Sequence, residues 1–369
     1  MKMQIKWKLG GETEVLPVKG IFEEGNSVLA DTFRSIATEP NARVFLVADG
    51  NVVSRTEGLG SKIGRYLQAN SITLAGQPAV VSAGEKAKMD DFFAFRKTLA
   101  AAIGANVGVN DVLIAIGGGS LFDVAGLVAA QVGGGMKYIK IPTTVPAMID
   151  AAFADRALFN LGNIKDAFGV YYPANAVIID TSFAPTVLDG VWRAGFAEIL
   201  RIGVATDSKL VTKVISSIEA IKSRSEESLE DLITSAIKLR VKSGPINFGL
   251  WCVEKLESMS AYKLPQGYAV AIGTAISMRY AALRGHISSE DAEIVVSTLG
   301  AIGALDSLEH SQHLIAQAQR VVEGLDFWRV SHPGGVESIS SIGKRIYEDE
   351  IDSALMAEAV SSFLIKRTV

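Results

Sequence analysis

The sequence predicts an α/β protein: a doubly wound parallel sheet over residues 1–182, followed by an all-α domain over residues 183–369. Three observations carry that expectation. In the first half, short apolar runs ending in glycine or a polar residue alternate with helically spaced stretches, the mark of buried strands joined by crossover helices. In the second half nearly every segment has helical periodicity, broken at KSGPINFG, KLPQG and SHPGG. Thirty-five glycines against ten prolines, in a chain of 369 residues that is 49% apolar, suit two domains of α/β layers better than a sandwich or a disordered chain.

The elements follow in order. ARVFLVADG (42–50) is a continuous apolar run closing on Asp49-Gly50, as a buried parallel strand does. PAVVSAGE (78–85) repeats the pattern, and MDDFFAFRKTLAAAIGA (89–105) has its apolar residues at helical spacing. DVLIAIGGGS (111–120) is a strand running into a glycine turn, and LFDVAGLVAAQVGG (121–134) continues it as a helix. KYIKIPTT (137–144) and AVIIDTSF (176–183) are two further strands. From VWRAGFAEILRIGVATD (191–207) onward the period is helical, and a two-domain layout of this kind places ligands in the cleft between the domains.

A formal charge of −4 offers no basic face, so nucleic-acid partners are not expected. The single cysteine, Cys252, excludes an internal disulfide and a cysteine-based zinc cluster. Its apolar neighbours read as those of a buried structural thiol. No apolar run reaches the roughly 18 residues of a membrane span, and the first residues carry no apolar signal region. The expectation is a soluble cytoplasmic protein.

Gly117, Gly118 and Gly119 lie between a strand and a helix. Consecutive glycines let a backbone approach a pyrophosphate, and a helix N-terminus adds N–H donors and a positive dipole. A tight strand–helix turn would read the same way. Polar residues at other strand ends converge on the same edge: Asp49, suited to a ribose hydroxyl, then Glu85 and Lys88, Thr143 and Thr144, and Asp150.

Taken in order, GGGxxxD, PTTxxAxxD, N-x4-K, RAGxAE, NFG and GxAVAIG resemble 3-dehydroquinate synthase and its sugar phosphate cyclase relatives over residues 40–275. Glycerol dehydrogenases and iron-containing alcohol dehydrogenases are similar more distantly. The resemblance implies NAD in the first domain, held at Asp49, Glu85, Lys88, Gly118, Gly119, Asp123, Thr143, Thr144, Asp150 and Lys165. For Asp123 and Asp150, helix capping is the alternative. It also implies a sugar-derived small-molecule substrate in the cleft and a homodimer formed through the first domain. Glu198, in RAGFAE, falls on the family's zinc glutamate; an ordinary surface glutamate is the other reading.

The pattern then breaks. Where the family has NxGHxxGH, this chain has Leu250 and Glu254, and the histidine that opens HGxAVAIG is Gln266. Leucine cannot ligate a metal, and a glutamine carbonyl is a poor substitute for imidazole on zinc. Glu198, Glu254 and Gln266 would make an oxygen-rich set for a harder divalent ion. Two active-site lysines stand as Arg156 and Arg201, which keep charge without donating protons near neutrality. The family's phosphate-binding arginine is Gly134, and of its later basic residues Lys242 and Arg329 are what remain. The expected catalytic set is Lys165, Arg156, Arg201, Glu198 and Glu254. Two functions follow: a divergent cyclase-like enzyme using NAD on an anionic sugar- or polyol-derived substrate, or a non-catalytic homologue that binds nucleotide or a protein partner.

Overall fold

A computed structural model describes residues 11–364 except 83, 90, 163, 309 and 333, and leaves aside the side chains of 226–228 and 331. In chain order the strands are β1 (Glu14–Val18), β2 (Val44–Asp49), β3 (Ala79–Val81), β4 (Val112–Gly117), β5 (Lys137–Pro142), β6 (Arg156–Leu161), β7 (Ile164–Tyr171), β8 (Ala176–Asp180), β9 (Val336–Ser341) and β10 (Lys344–Glu348). Six form one parallel sheet, ordered β1-β8-β5-β4-β2-β3. Strands β2, β4 and β8 are buried at every position. Covered on both faces, they need no polar alternation, and continuous apolar runs result.

From β2 the chain steps outward to β3, then crosses back to β4 on β2's other side. That reversal opens a crevice above the carboxyl ends of β2 and β4, where a doubly wound sheet takes its ligand. Asp49 ends β2 and Gly117 ends β4. The two meet closely, since a Cβ built on Gly117 would stand 3.0 Å from the Asp49 Cβ.

Helices dominate after β8, among them Asp189–Thr206, Glu226–Ser243, Gln266–Leu283 and Ser289–Ala301. Small residues let three backbones close together. A Cβ on Gly267 would come within 2.0 Å of the Ala194 Cβ, and one on Gly273 within 2.3 Å of the Gly249 carbonyl oxygen. One apolar core runs through both halves of the chain, joining Ile141 and Val145 to Phe196, Ile246 and Ala271.

Three features depart from the expected pattern. Strand β1 contains Pro17, tolerated because β1 is an edge strand paired only with β8. Strands β6 and β7 form an antiparallel hairpin outside the main sheet. The helical domain also carries an antiparallel hairpin, β9–β10. Its first four residues, Val336 to Ile339, are all buried, so it lacks the apolar–polar alternation that marks a half-buried strand.

Candidate active site

The glycine turn and the neighbouring strand ends make the first part of the site. Gly118 caps the helix Gly119–Gln131 with no side-chain capping bond, and first-turn amides of a helix have no intrahelical acceptor. Space beside it is limited by backbone and small side chains: a Cβ on Gly119 would stand 2.9 Å from the Ala151 Cβ. Thr143 donates its amide to the Gly117 carbonyl at 3.0 Å, tying the β5 end to the turn. Its hydroxyl is fully buried and has no hydrogen-bond partner. Thr144 instead spends its hydroxyl on the Ala147 amide, 3.3 Å away, as the cap of the helix Val145–Ile149. Asp49 accepts from the Asn51 amide at 2.8 Å. A bare backbone cradle, helix amides and an orphaned hydroxyl suit a dinucleotide phosphate and ribose.

Beside this crevice lies a buried cluster of charge. Lys88, 3% exposed, reaches Asp166 at 2.7 Å, Asp123 at 2.8 Å and Glu85 at 3.9 Å. Lys165 pairs with Glu257 at 2.5 Å, and that carboxylate is wholly buried with its second oxygen unpartnered. Asp123 also accepts the Leu158 amide at 3.0 Å from inside its helix, so it braces β6 rather than capping.

A local irregularity makes the cluster possible. Successive strand residues normally face opposite ways. Asp166 has φ +50°, the register slips between Phe159 and Leu161, and Lys165 and Asp166 both reach the same charge cluster. Asn160, fully buried, holds this geometry: its Oδ1 accepts the Asp166 amide at 2.9 Å and its Nδ2 donates to Glu85 at 3.1 Å. The spacing N-x4-K thus has a structural meaning, since the asparagine stitches the bulge that turns the lysine inward.

The cluster shifts the protonation of its members. Burial would lower the Lys88 and Lys165 pKa values, but the surrounding carboxylates outweigh it and both are held above the ordinary lysine range. Burial pushes Asp123 and Glu257 upward despite their lysine partners. Asp166 falls below its usual value, because Lys88 and Lys165 overcome its burial. Glu254, half-buried one helical turn before Glu257, is raised to about 7 by burial, with Lys165 opposing and Asp166 and Glu257 reinforcing. A carboxyl poised there can take or give a proton near neutrality.

The third group lies on the helix Asp189–Thr206. Glu198 is buried, not a surface glutamate, and Arg201 is completely buried. Arg201 donates through Nε to Glu198 at 3.1 Å and again through a terminal nitrogen, and its other arm donates to the Ile246 carbonyl. Asp150, without a capping bond, pairs with Arg240 at 2.5 Å. Glu337, on β9, accepts the Asn247 amide at 3.0 Å, and Arg345 on β10 donates to the Pro245 and Ser243 carbonyls. The loop preceding Leu250 is therefore held from three sides.

The expected metal donors do not assemble. Glu198 is engaged by Arg201, while Gln266 lies exposed at the start of its helix. Among the described residues no three His, Cys, Asp or Glu side chains cluster as metal donors. Leu250 offers none, and Glu254 belongs to the Lys165 cluster. Arg156 is exposed at the start of β6. Burial lowers the His332 pKa, the nearby Arg156 charge lowers it further, and His332 stacks on Trp328 with ring centroids 3.6 Å apart. Lys242 and Arg329 are exposed. Cys252 is buried, and burial drives its thiol pKa upward, as a structural cysteine requires.

Sequence reasoning passed over Glu257, Asp166, Glu337 and Arg240, and read Asn160 only as part of N-x4-K. Glu257 was open to discovery: it follows Glu254 by three residues, so both sit on one helix face.

Comparisons with known proteins place these features in a lineage. A family model described as 3-dehydroquinate synthase N-terminal matches residues 78–193, and one described as 3-dehydroquinate synthase C-terminal matches residues 195–322. A 3-dehydroquinate synthase of Shouchella clausii is 28% identical over 70% of this chain and 72% of its own length; in another relative of that name the match spans 53% of its length. Among solved structures, 2-epi-5-epi-valiolone synthase from Streptomyces hygroscopicus subsp. jinggangensis, with NAD+ and Zn2+ bound, superposes with a TM-score of 0.83 at 20% identity, covering 98% of this chain and 99% of that one. A 2-deoxy-scyllo-inosose synthase, complexed with carbaglucose-6-phosphate, NAD+ and Co2+, gives 0.74 at 19% identity, covering 94% and 96%.

Proposed function

Because this chain belongs to the 3-dehydroquinate synthase family, we propose that it is a divergent member using NAD on an anionic sugar- or polyol-derived substrate. The observation that carries this reading is the Lys165–Glu257–Glu254 group. Burying such charges beside an open crevice is costly, and a carboxyl held near neutrality there is the kind of perturbation that marks reactive sites.

In this reading the nucleotide lies over Gly118 and Gly119, with Thr143 and Thr144 beneath it and Asp49 toward a ribose. Glu85, Lys88, Asp123 and Asp150 form the adjoining wall. Bound there, NAD supplies reversible hydride transfer at a carbinol carbon. Glu254 takes the hydroxyl proton and can return it. Lys165, a permanent cation held by Glu257, and the exposed Arg156 attract the substrate's carboxylate or phosphate. Glu198 and Arg201 sit beneath, fixing the loop that carries Leu250. We place the domain boundary near residue 182, with the reacting carbon in the cleft. A homodimer through the first domain is part of the proposal, supported by exposed Leu161, Ile164, Phe168 and Tyr171 on the β6–β7 hairpin.

One observation favours a second reading, a nucleotide-binding homologue without catalysis: the glutamate at the family's metal position is closed off by Arg201. The test is a single-turnover absorbance measurement of NAD reduction against a panel of sugar phosphates and polyols, run beside calorimetry of NAD binding. Reduction of NAD by any panel member supports the enzyme. Binding without reduction across the panel supports the second reading.

A further inference from the structure

We propose that the Arg201 guanidinium holds Glu198 against any metal ion, and that the protein takes up no metal at Glu198. Three observations carry this. The guanidinium is fully buried and directs Nε and one terminal nitrogen at Glu198, with the other terminal nitrogen on the Ile246 carbonyl. It thus joins the glutamate-bearing helix to the loop of Leu250, the two elements a metal would have to bridge. The neighbouring carboxylates are themselves engaged: Asp150 pairs with Arg240 at 2.5 Å, and Glu337 accepts the Asn247 amide at 3.0 Å. The donor set has also gone. Leu250 cannot ligate, Gln266 is exposed, and no three metal-donor side chains cluster among the described residues.

An arginine cannot be neutralised to make way for an ion. A divalent cation at Glu198 would have to displace a guanidinium bonded to that carboxylate through two nitrogens. The resemblance puts a family lysine at this position, and its charge is kept here as a guanidinium bound to Glu198. Its geometry is fixed at folding and does not depend on metal supply. The inference stands apart from the proposed activity, since it holds whether or not the cleft turns over a substrate.

The test is titration of the full-length, chelator-stripped protein with Co2+, read by ligand-field absorption and by calorimetry, in the wild type and in Glu198→Gln. The expected result is no Co2+ uptake that depends on Glu198. Uptake of one equivalent per chain, weakened tenfold or more in Glu198→Gln, would overturn the proposal. A second arm restores donors with Leu250→His/Gln266→His. With Arg201 in place that variant is expected to take up no Co2+ at Glu198, and adding Arg201→Met is expected to raise Co2+ affinity at least tenfold. One equivalent taken up with Arg201 in place overturns the claim that the guanidinium excludes the ion.

Discussion

Glu254 is the residue whose chemistry is most exposed to measurement. Its carboxyl is raised to about 7, so the ionised base appears only as pH rises through neutrality. If it accepts the substrate proton, single-turnover NAD reduction should climb through a pH near 7 and level off above it. Glu254→Gln should remove that inflection and slow the step by about 10²- to 10⁴-fold. Arg201 makes a different prediction. Breaking a buried pair from one side leaves the other charge uncompensated, at a cost of about 3–5 kcal/mol. Urea denaturation of Arg201→Met should show that loss, and Glu198→Gln/Arg201→Met should recover part of it. Lys140 supplies a third. It is 2% exposed, donates to the Ala152 and Ala154 carbonyls, and burial lowers its pKa from 10.5 to about 8. The unfolded chain then binds the proton more tightly, so the penalty is full below pH 8 and is relieved as pH rises toward 10.5. Wild type should gain on the order of 3 kcal/mol relative to Lys140→Met across that window, measured by chemical denaturation.

At the scale of elements, the β6–β7 hairpin is the device that brings two lysines into one acidic cluster. Asn160 holds its bulge, so Asn160→Leu should release both Asp166 and Glu85 while keeping side-chain volume. The expected outcome is NAD affinity reduced about tenfold or more by calorimetry, with helix content unchanged by circular dichroism. How much of this could be read beforehand follows from the same local physics. Strands β2, β4 and β8 were legible because continuous apolar runs ending in glycine or aspartate have few other uses, and β5 because its apolar residues run into Pro142 and two threonines. The polar residues of the nucleotide crevice were legible because strand ends in such a sheet converge. Strand β1 was hidden by Pro17 and β9 by burial of four successive residues. Glu337 was hidden with β9, and with it the whole brace on the loop before Leu250. Arg201 was read as a residue beside the reacting carbon because spacing gives position along a helix but not depth. Only packing shows that its guanidinium is inside.

Across the whole molecule, one apolar core links sheet and helices, so the cleft floor cannot loosen without disturbing both. The exposed apolar residues of the hairpin are the surface assigned to the proposed homodimer. Light scattering should give the mass of a dimer, and Phe168→Glu with Ile164→Lys should shift it to the monomer without altering nucleotide affinity. The contact between Gly249 and Gly273 has a consequence of another kind. There the loop bearing Leu250 rests on the helix Gln266–Leu283 backbone against backbone, with no side chain between them. Main-chain atoms meet there only because both residues are glycine, so the places of residues 250 and 254 rest on Gly249 and Gly273 rather than on their own side chains. Such a scaffold can exchange one chemistry for another through single substitutions, each intermediate still folded.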